Sequence, residues 1–346
     1  MSDTIKLNRR SFLGATTAGL GALSFGLLPQ LAYADSLTGK PALPAGSFAF
    51  PEIRQIDAGL LNIGYVDIGP RNGQPVILLH GWPYDIHSYI EVAPLLAAAG
   101  YRVIVPHLRG HGTTRFLAAD TFRNGQQSAV ALDTIALMDA LKMEKAILAG
   151  YDWGSRTACV IAALWPERCK AIVSANGYII NNLDLNQHPL LPAAEHAWWY
   201  QFYFATERGL AGLTEHRKEL AKLIWRENSP AWQFDEATFN RSAASFDNPD
   251  YVAIVIHNYR WRLSLAKGEA RYDSLEQHLA SAPLIAVPAI TIDGDANGVA
   301  PASDGSAYAK KFIAGHSHRI VKGAGHNLPQ EAPKAFADAI IQLAST

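Results

Sequence analysis

Gly150-Tyr151-Asp152-Trp153-Gly154 puts a carboxylate at the apex of a tight turn. The apolar run before it, Ala146 to Ala149, predicts a buried strand, and Thr157 to Leu164 predicts a helix, so two glycines bracket an abrupt strand-to-helix reversal. A glycine-x-nucleophile-x-glycine turn strains the backbone so that one side chain stands above the sheet edge, at the positive end of the helix. The slot holds a carboxylate and no hydroxyl. Ser155 lies one residue past the second glycine, and no Gly-x-Ser-x-Gly occurs in the chain. A plainer role for Asp152, capping the following helix, stays open on this turn alone.

The elements that must hold this turn alternate between strand and helix. Ile53 to Asp57 and Leu60 to Asp67 read as an antiparallel hairpin, and Pro75 to Leu79 as a short strand running into His80-Gly81-Trp82-Pro83. A helix over His87 to Ala99, a strand over Arg102 to Val105, a helix over Gln126 to Leu141 and the strand Lys145 to Ala149 follow, then the helix to Trp165 and the strand Ala171 to Ser174. That order implies a mostly parallel sheet with helices on both faces. From Gly177 to Ala282 the pattern becomes helical and rich in Trp, Tyr and His, which predicts an inserted cap. Alternation resumes with the strand Ala286 to Ile292, a helix near Ala307 to Ile313, the strand Ser317 to Val321 and a closing helix over Glu331 to Leu343.

Composition narrows the partners. With 346 residues and 49% hydrophobic content the chain can bury a large core, and a net charge of -1 without a basic stripe argues against nucleic acid. Cys159 and Cys169 fit buried free thiols better than a disulfide framework, and no Cys/His spacing suggests a metal, so no cofactor or metal is expected. Residues 1–34 read as an export signal: Lys6, Arg9 and Arg10 precede a glycine-rich apolar run, Phe12 to Leu28, which ends in Ala32-Tyr33-Ala34. Arg9-Arg10 followed by Ser11-Phe12-Leu13 resembles the twin-arginine signal, which implies a periplasmic protein with no membrane span after cleavage. Oligomeric state is not legible.

Four separated features together resemble the α/β-hydrolase superfamily: the strand ending in His80-Gly81-Trp82-Pro83, the Asp152 turn, the inserted helical stretch, and Gly323-Ala324-Gly325-His326-Asn327 near the end. The Asp152 turn is similar to that of the epoxide hydrolases and haloalkane dehalogenases, which use an aspartate nucleophile. The loop Pro106 to Arg115 is similar to one these enzymes carry after the fourth strand, with His107 where an acidic residue is common. The resemblance implies an eight-stranded, mostly parallel sheet, a core over 35–176 and 283–346, and a cap over 177–282. It also implies roles: His326 as the base that activates water, and the backbone N–H groups of Trp82 and Trp153 as the oxyanion hole. The third member departs from the family pattern. Where Gly-x-x-Asp is usual, Gly294-Asp295-Ala296-Asn297 has asparagine, which can orient His326 through its side-chain oxygen but supplies no charge; Asp295 or Asp293 is the alternative support.

Attack on saturated carbon explains the carboxylate. A serine would leave an ether that resists hydrolysis, whereas Asp152 leaves an ester that water can split at the carbonyl carbon. Epoxide opening also needs a proton donor opposite Asp152. Trp199-Tyr200-Gln201-Phe202-Tyr203-Phe204 and His257-Asn258-Tyr259-Arg260 resemble the two tyrosine-bearing cap helices of epoxide hydrolases, which nominates Tyr200 and Tyr259, with packing against the core as the alternative and Tyr203 as the competing residue. The expected reaction is hydrolysis of a small apolar epoxide to a vicinal diol. A haloalkane or haloacid dehalogenase is the alternative, with Trp153 holding halide through its ring N–H and Trp82 or the Trp198-Trp199 pair as partner. An impaired or non-catalytic binder, favoured by Asn297, is the third reading.

Overall fold

A computed structural model describes residues 49–344. The expected signal at 1–34 lies outside the described residues. Nine strands form one mixed sheet: β1 (Arg54–Ala58), β2 (Leu61–Ile68), β3 (Pro75–Leu79), β4 (Arg102–Pro106), β5 (Arg115–Phe116), β6 (Ala146–Gly150), β7 (Cys169–Ala175), β8 (Ala289–Gly294) and β9 (His316–Val321). Their order is β1-β2-β4-β3-β6-β7-β8-β9, with the two-residue β5 on β2 as a ninth strand beyond the expected eight. The β1–β2 and β2–β4 pairs are antiparallel, and from β4 to β9 every pairing on this path is parallel.

Hydrophobic content accounts for the central strands. All five residues of β6 are buried, as a parallel strand covered on both faces requires, and Ile77, Leu78, Ile147, Leu148, Ile172 and Val173 pack beside one another at full burial. Parallel pairing brings strand ends to a common edge. Leu79 pairs with Gly150 and Gly150 with Ser174, so the loop after β3, the turn after β6 and the start of the segment after β7 emerge side by side.

One expected helix is broken, and proline explains the break. The segment from His87 to Ala99 splits into a short 3-10 turn, Ile86–Tyr89, capped by the Asp85 carboxylate, and a helix Val92–Ala98. Pro94 has no N–H for the carbonyl one turn back, so it is tolerated only near a helix start. The closing helix runs from Pro333 to Ala344, two residues later in its start than expected, with Pro333 at the first helical position and a separate short helix, Leu328–Glu331, before it. The helix expected near Ala307 to Ile313 is shorter, Ser306–Ala309.

Between β7 and β8 the described chain contains helices and no strand, among them Trp199–Phe204, Arg217–Asn228, Tyr251–Arg262 and Asp273–Ala280. This stretch is joined to the sheet by buried contacts. The Trp225 ring N–H donates to the Pro83 carbonyl at 2.6 Å, and Tyr259 packs edge-on against Trp82 at 5.1 Å between centroids.

Candidate active site

The turn after β6 is sharper than a helix cap needs. Asp152 has φ 52° and ψ -123°, a left-handed and strained combination for a residue with a side chain. The helix Trp153–Leu164 starts directly after it, and the Asp152 side chain makes no capping bond to that helix. Capping is therefore not its role. Close approach of backbone fixes the flanking residues: a Cβ on Gly154 would stand 1.8 Å from the Leu79 carbonyl oxygen, and one on Gly81 would stand 2.6 Å from Asp152 Cβ.

Freed from the helix, the Asp152 carboxylate bridges two loops. Oδ1 accepts the Trp82 backbone N–H at 2.8 Å, while Oδ2 faces His326 Nε2 at 3.5 Å. The Asp152 side chain retains 17% of its surface open, against 5% for His326. Burial pushes the Asp152 carboxyl up, but the His326 ring, Arg156 and the Trp82 N–H outweigh it and hold the carboxyl below its ordinary value. The group is a carboxylate at neutral pH, as a nucleophile must be. Trp153, the second expected oxyanion donor, opens the following helix, and its N–H makes no bond to the resting carboxylate.

Tyr200 and Tyr259 arrive from separate helices, Trp199–Phe204 and Tyr251–Arg262, and meet over Trp82: ring centroids lie 5.5 Å apart, and 5.4 and 5.1 Å from the indole. Burial raises both phenols well above their ordinary range and Asp152 adds to the shift, so both hold their protons at neutral pH. Tyr203 points elsewhere, packing 5.9 Å from Trp199 with its hydroxyl over Gly212.

Support for His326 differs from expectation. Asn297 stands beside the ring, but it is the amide nitrogen that faces His326 Nδ1, at 3.4 Å. The side-chain oxygen is already committed to the N–H groups of Val299 and Ala300, at 2.9 and 3.2 Å, so turning the amide over would set donors against donors. Neither alternative acid takes its place. Asp293 Oδ2 accepts from the Ser303 N–H and hydroxyl and sits 3.8 Å from His318, while Asp295 Oδ1 accepts the Gly323 N–H.

Two contributors escaped the sequence reading. Ser229 accepts the His326 N–H at 2.9 Å and donates to Glu331 at 2.7 Å, and the other Glu331 oxygen accepts the Gly325 N–H. Thus a carboxylate does support the histidine loop, through its backbone. Burial pushes the Glu331 carboxyl up, with these partners opposing. The second is Arg156, one helical turn beyond Asp152 and 8% exposed. Its spacing of four on the helix was the available signal.

The halide alternative finds mixed geometry. Trp153 Nε1 is buried without a partner, and the Trp82 ring N–H faces the Tyr251 hydroxyl without completing an aligned bond. The Trp199 ring N–H is committed to Glu227 at 2.9 Å. Cys159 and Cys169 are buried free thiols. Among the described residues no group of three His, Cys, Asp or Glu is arranged to hold a metal.

Comparison with known proteins gives the family. The family model of the alpha/beta hydrolase fold matches residues 74–333. A solved structure from Klebsiella pneumoniae subsp. pneumoniae MGH 78578, provisionally named an epoxide hydrolase, is 57% identical and covers 86% of this chain and 99% of its own, with a TM-score of 0.85. Epoxide hydrolase B of Mycobacterium tuberculosis is 29% identical over 43% of this chain, and the match spans less than half, 44%, of that relative. A haloalkane dehalogenase of Psychrobacter cryohalolentis is 25% identical over 82% of this chain and 87% of its own. The chain belongs to the alpha/beta hydrolase fold family, within its epoxide hydrolase and haloalkane dehalogenase-like branch.

Proposed function

We propose that this hydrolase opens an epoxide through an ester on Asp152. In this reading Oδ2, the oxygen not held by Trp82, attacks a ring carbon, the C–O bond breaks, and Tyr200 or Tyr259 protonates the released alkoxide. Water then adds to the Asp152 carbonyl carbon and gives a proton to His326. The oxyanion grows on the oxygen held by the Trp82 N–H, joined by the Trp153 N–H; collapse releases the vicinal diol as the His326 proton passes to the leaving oxygen, and the proton left on the Asp152 carboxyl returns to the tyrosinate. The observation that carries this reading is the Asp152 carboxylate itself: strained, uncommitted to its helix, gripped at one oxygen by the Trp82 N–H and facing His326 with the other, beside a Trp82 ring on which two protonated tyrosines pack.

The helices of 177–282 act in this proposal as the cap that closes over the nucleophile, and the twin-arginine-like start of the chain as its route to the periplasm. Dehalogenation is the second reading, favoured by the unpartnered Trp153 ring N–H, a donor suited to a departing halide. Incubating the protein with styrene oxide and with a short bromoalkane, while following diol and bromide in parallel, separates the two. Diol without bromide supports epoxide opening; bromide without diol transfers the role to Trp153. Neither product, and no mass added to the peptide containing Asp152, would sink both.

A further inference from the structure

The mechanism leaves one buried cation and one half-buried cation unused. Arg156 is 8% exposed, its Nε has no hydrogen-bond partner, and none of the ion pairs among the described residues includes it. Arg262, the last residue of the helix Tyr251–Arg262, has the same deficit at Nε, and its guanidinium lies 5.6 Å from the centre of the Tyr259 ring. The remaining buried or half-buried arginines are satisfied. Arg109 grips Asp133 with two nitrogens at 2.6 and 2.7 Å and two backbone carbonyls besides, Arg123 pairs with Asp250, and Arg260 pairs with Glu207.

Unpaired burial of a guanidinium is costly, and placing two within range of each other adds repulsion. Burial and Arg262 push the Arg156 guanidinium down to about 10, and it remains a cation at neutral pH. Asp152 acts on it from one turn back but forms no ion pair with it, because that carboxylate is spent on Trp82 and His326. Arg262 lies against the Tyr259 ring, Tyr259 packs 5.5 Å from Tyr200, and Arg156 stands one helical turn after Asp152; both cations also act on the two phenols, so the charges gather around the nucleophile. Proteins keep an uncompensated buried cation such as Arg156 at functional sites, where a ligand can supply the missing charge.

We infer that Arg156 and Arg262 form an anion subsite beside Asp152, and that the substrate is an epoxide bearing a carboxylate. This rests on the ring-opening proposal and narrows its substrate class, which the sequence alone assigned to small apolar epoxides. A carboxylate is the anion that fits the planar donor fork of arginine through two parallel N–H···O bonds. Bound there, it fixes the epoxide carbons relative to Oδ2 and offsets one of the two positive charges.

Binding tests the subsite without turnover. Calorimetric titration of the full chain with phenylacetate and with phenylacetamide compares charged and neutral ligands of one shape. The carboxylate should bind about 10- to 100-fold more tightly, the range for hydrogen bonds to charged groups. In Arg156→Gln that preference should fall to less than about threefold, and in Arg262→Gln it should shrink in part. The ligand-free Arg156→Met protein should melt above the parent, since it loses an unpaired buried charge; an arginine retained for packing would melt below it. Equal binding of acid and amide, or a preference untouched in Arg156→Gln, overturns the subsite. Equal stabilisation by sodium bromide would assign the cations to halide and overturn it too. Styrene oxide, which is neutral, separates the two proposals: its hydrolysis without phenylacetate binding leaves ring opening standing and removes the subsite. Phenylacetate binding through Arg156 with no epoxide opened does the reverse.

Discussion

Replacing Asn297 by Asp should convert a slow second half-reaction into a fast one. In the parent, the Asn297 amide donates towards His326 Nδ1, and its oxygen is locked by Val299 and Ala300. Neutral His326 then carries its proton on Nε2, the nitrogen facing Asp152, whereas a base acting there needs a lone pair. The opposite tautomer would set an Nδ1–H against the amide N–H. Aspartate can keep both backbone bonds with one oxygen and present the other to Nδ1 at the same 3.4 Å. A full charge at that separation stabilises the imidazolium formed during water attack by about 5 kcal/mol at an effective dielectric of 20, and by about 1 kcal/mol in bulk water. A middle value of about 3 kcal/mol is roughly a hundredfold in rate, below the ~10⁴-fold cost of the reverse change in a serine-protease triad. The assay is rapid mixing with styrene oxide or glycidate, quenching, and intact mass. Parent protein should accumulate an adduct of one substrate mass on the Asp152 peptide, and Asn297→Asp should clear it about a hundredfold faster. A parent that turns over without accumulating adduct, or an unchanged clearance rate in the variant, refutes the tautomer reasoning.

Three further outcomes follow from the site. Asp152→Asn should form no adduct and no product with any epoxide or bromoalkane while melting within a few degrees of the parent, since Asp152 makes no helix-capping bond; adduct retained elsewhere would displace it as nucleophile. Tyr200→Phe and Tyr259→Phe should each slow adduct formation from epoxides about tenfold, and the double variant about a thousandfold, with bromide release from bromoalkanes spared; an equal loss on both substrates would make the tyrosines packing residues. Finally, stability should fall in acid. Burial, the leading cause, depresses His80, His107 and His111, the last two to about 4, so the folded state holds them neutral. The unfolded chain takes up protons first as pH falls below about 6.5, so stability is complete above that value and drains away between 6.5 and 4. Each of the two costs about 3 kcal/mol once the pH reaches 4. A melting temperature flat from pH 6.5 to 4.5, or a slope unchanged in His107→Gln with His111→Gln, contradicts this.

The local pattern of residues was enough to locate the main strands and the Asp152 turn, because both depend on neighbours in the chain. A buried parallel strand needs the run Ala146 to Ala149, and an elbow needs glycines at 150 and 154, wherever the rest of the protein lies. Proline was legible too, though the consequence of Pro94 for helix length was missed. Hydrogen-bond direction was not. Whether Asn297 offers its oxygen or its nitrogen to His326 depends on Val299 and Ala300 folding back onto it, and the distance between Asp293 or Asp295 and the ring depends on Ser303 and Gly323 claiming those carboxylates first. The same holds for charge. The sequence shows only that Arg156 stands one helical turn after Asp152, and the packed structure reveals that Asp152 is spent on Trp82 and His326, which leaves Arg156 a buried cation without an ion pair. Periodicity is a property of the chain, but competition for a finite set of donors and acceptors is decided only when distant segments meet.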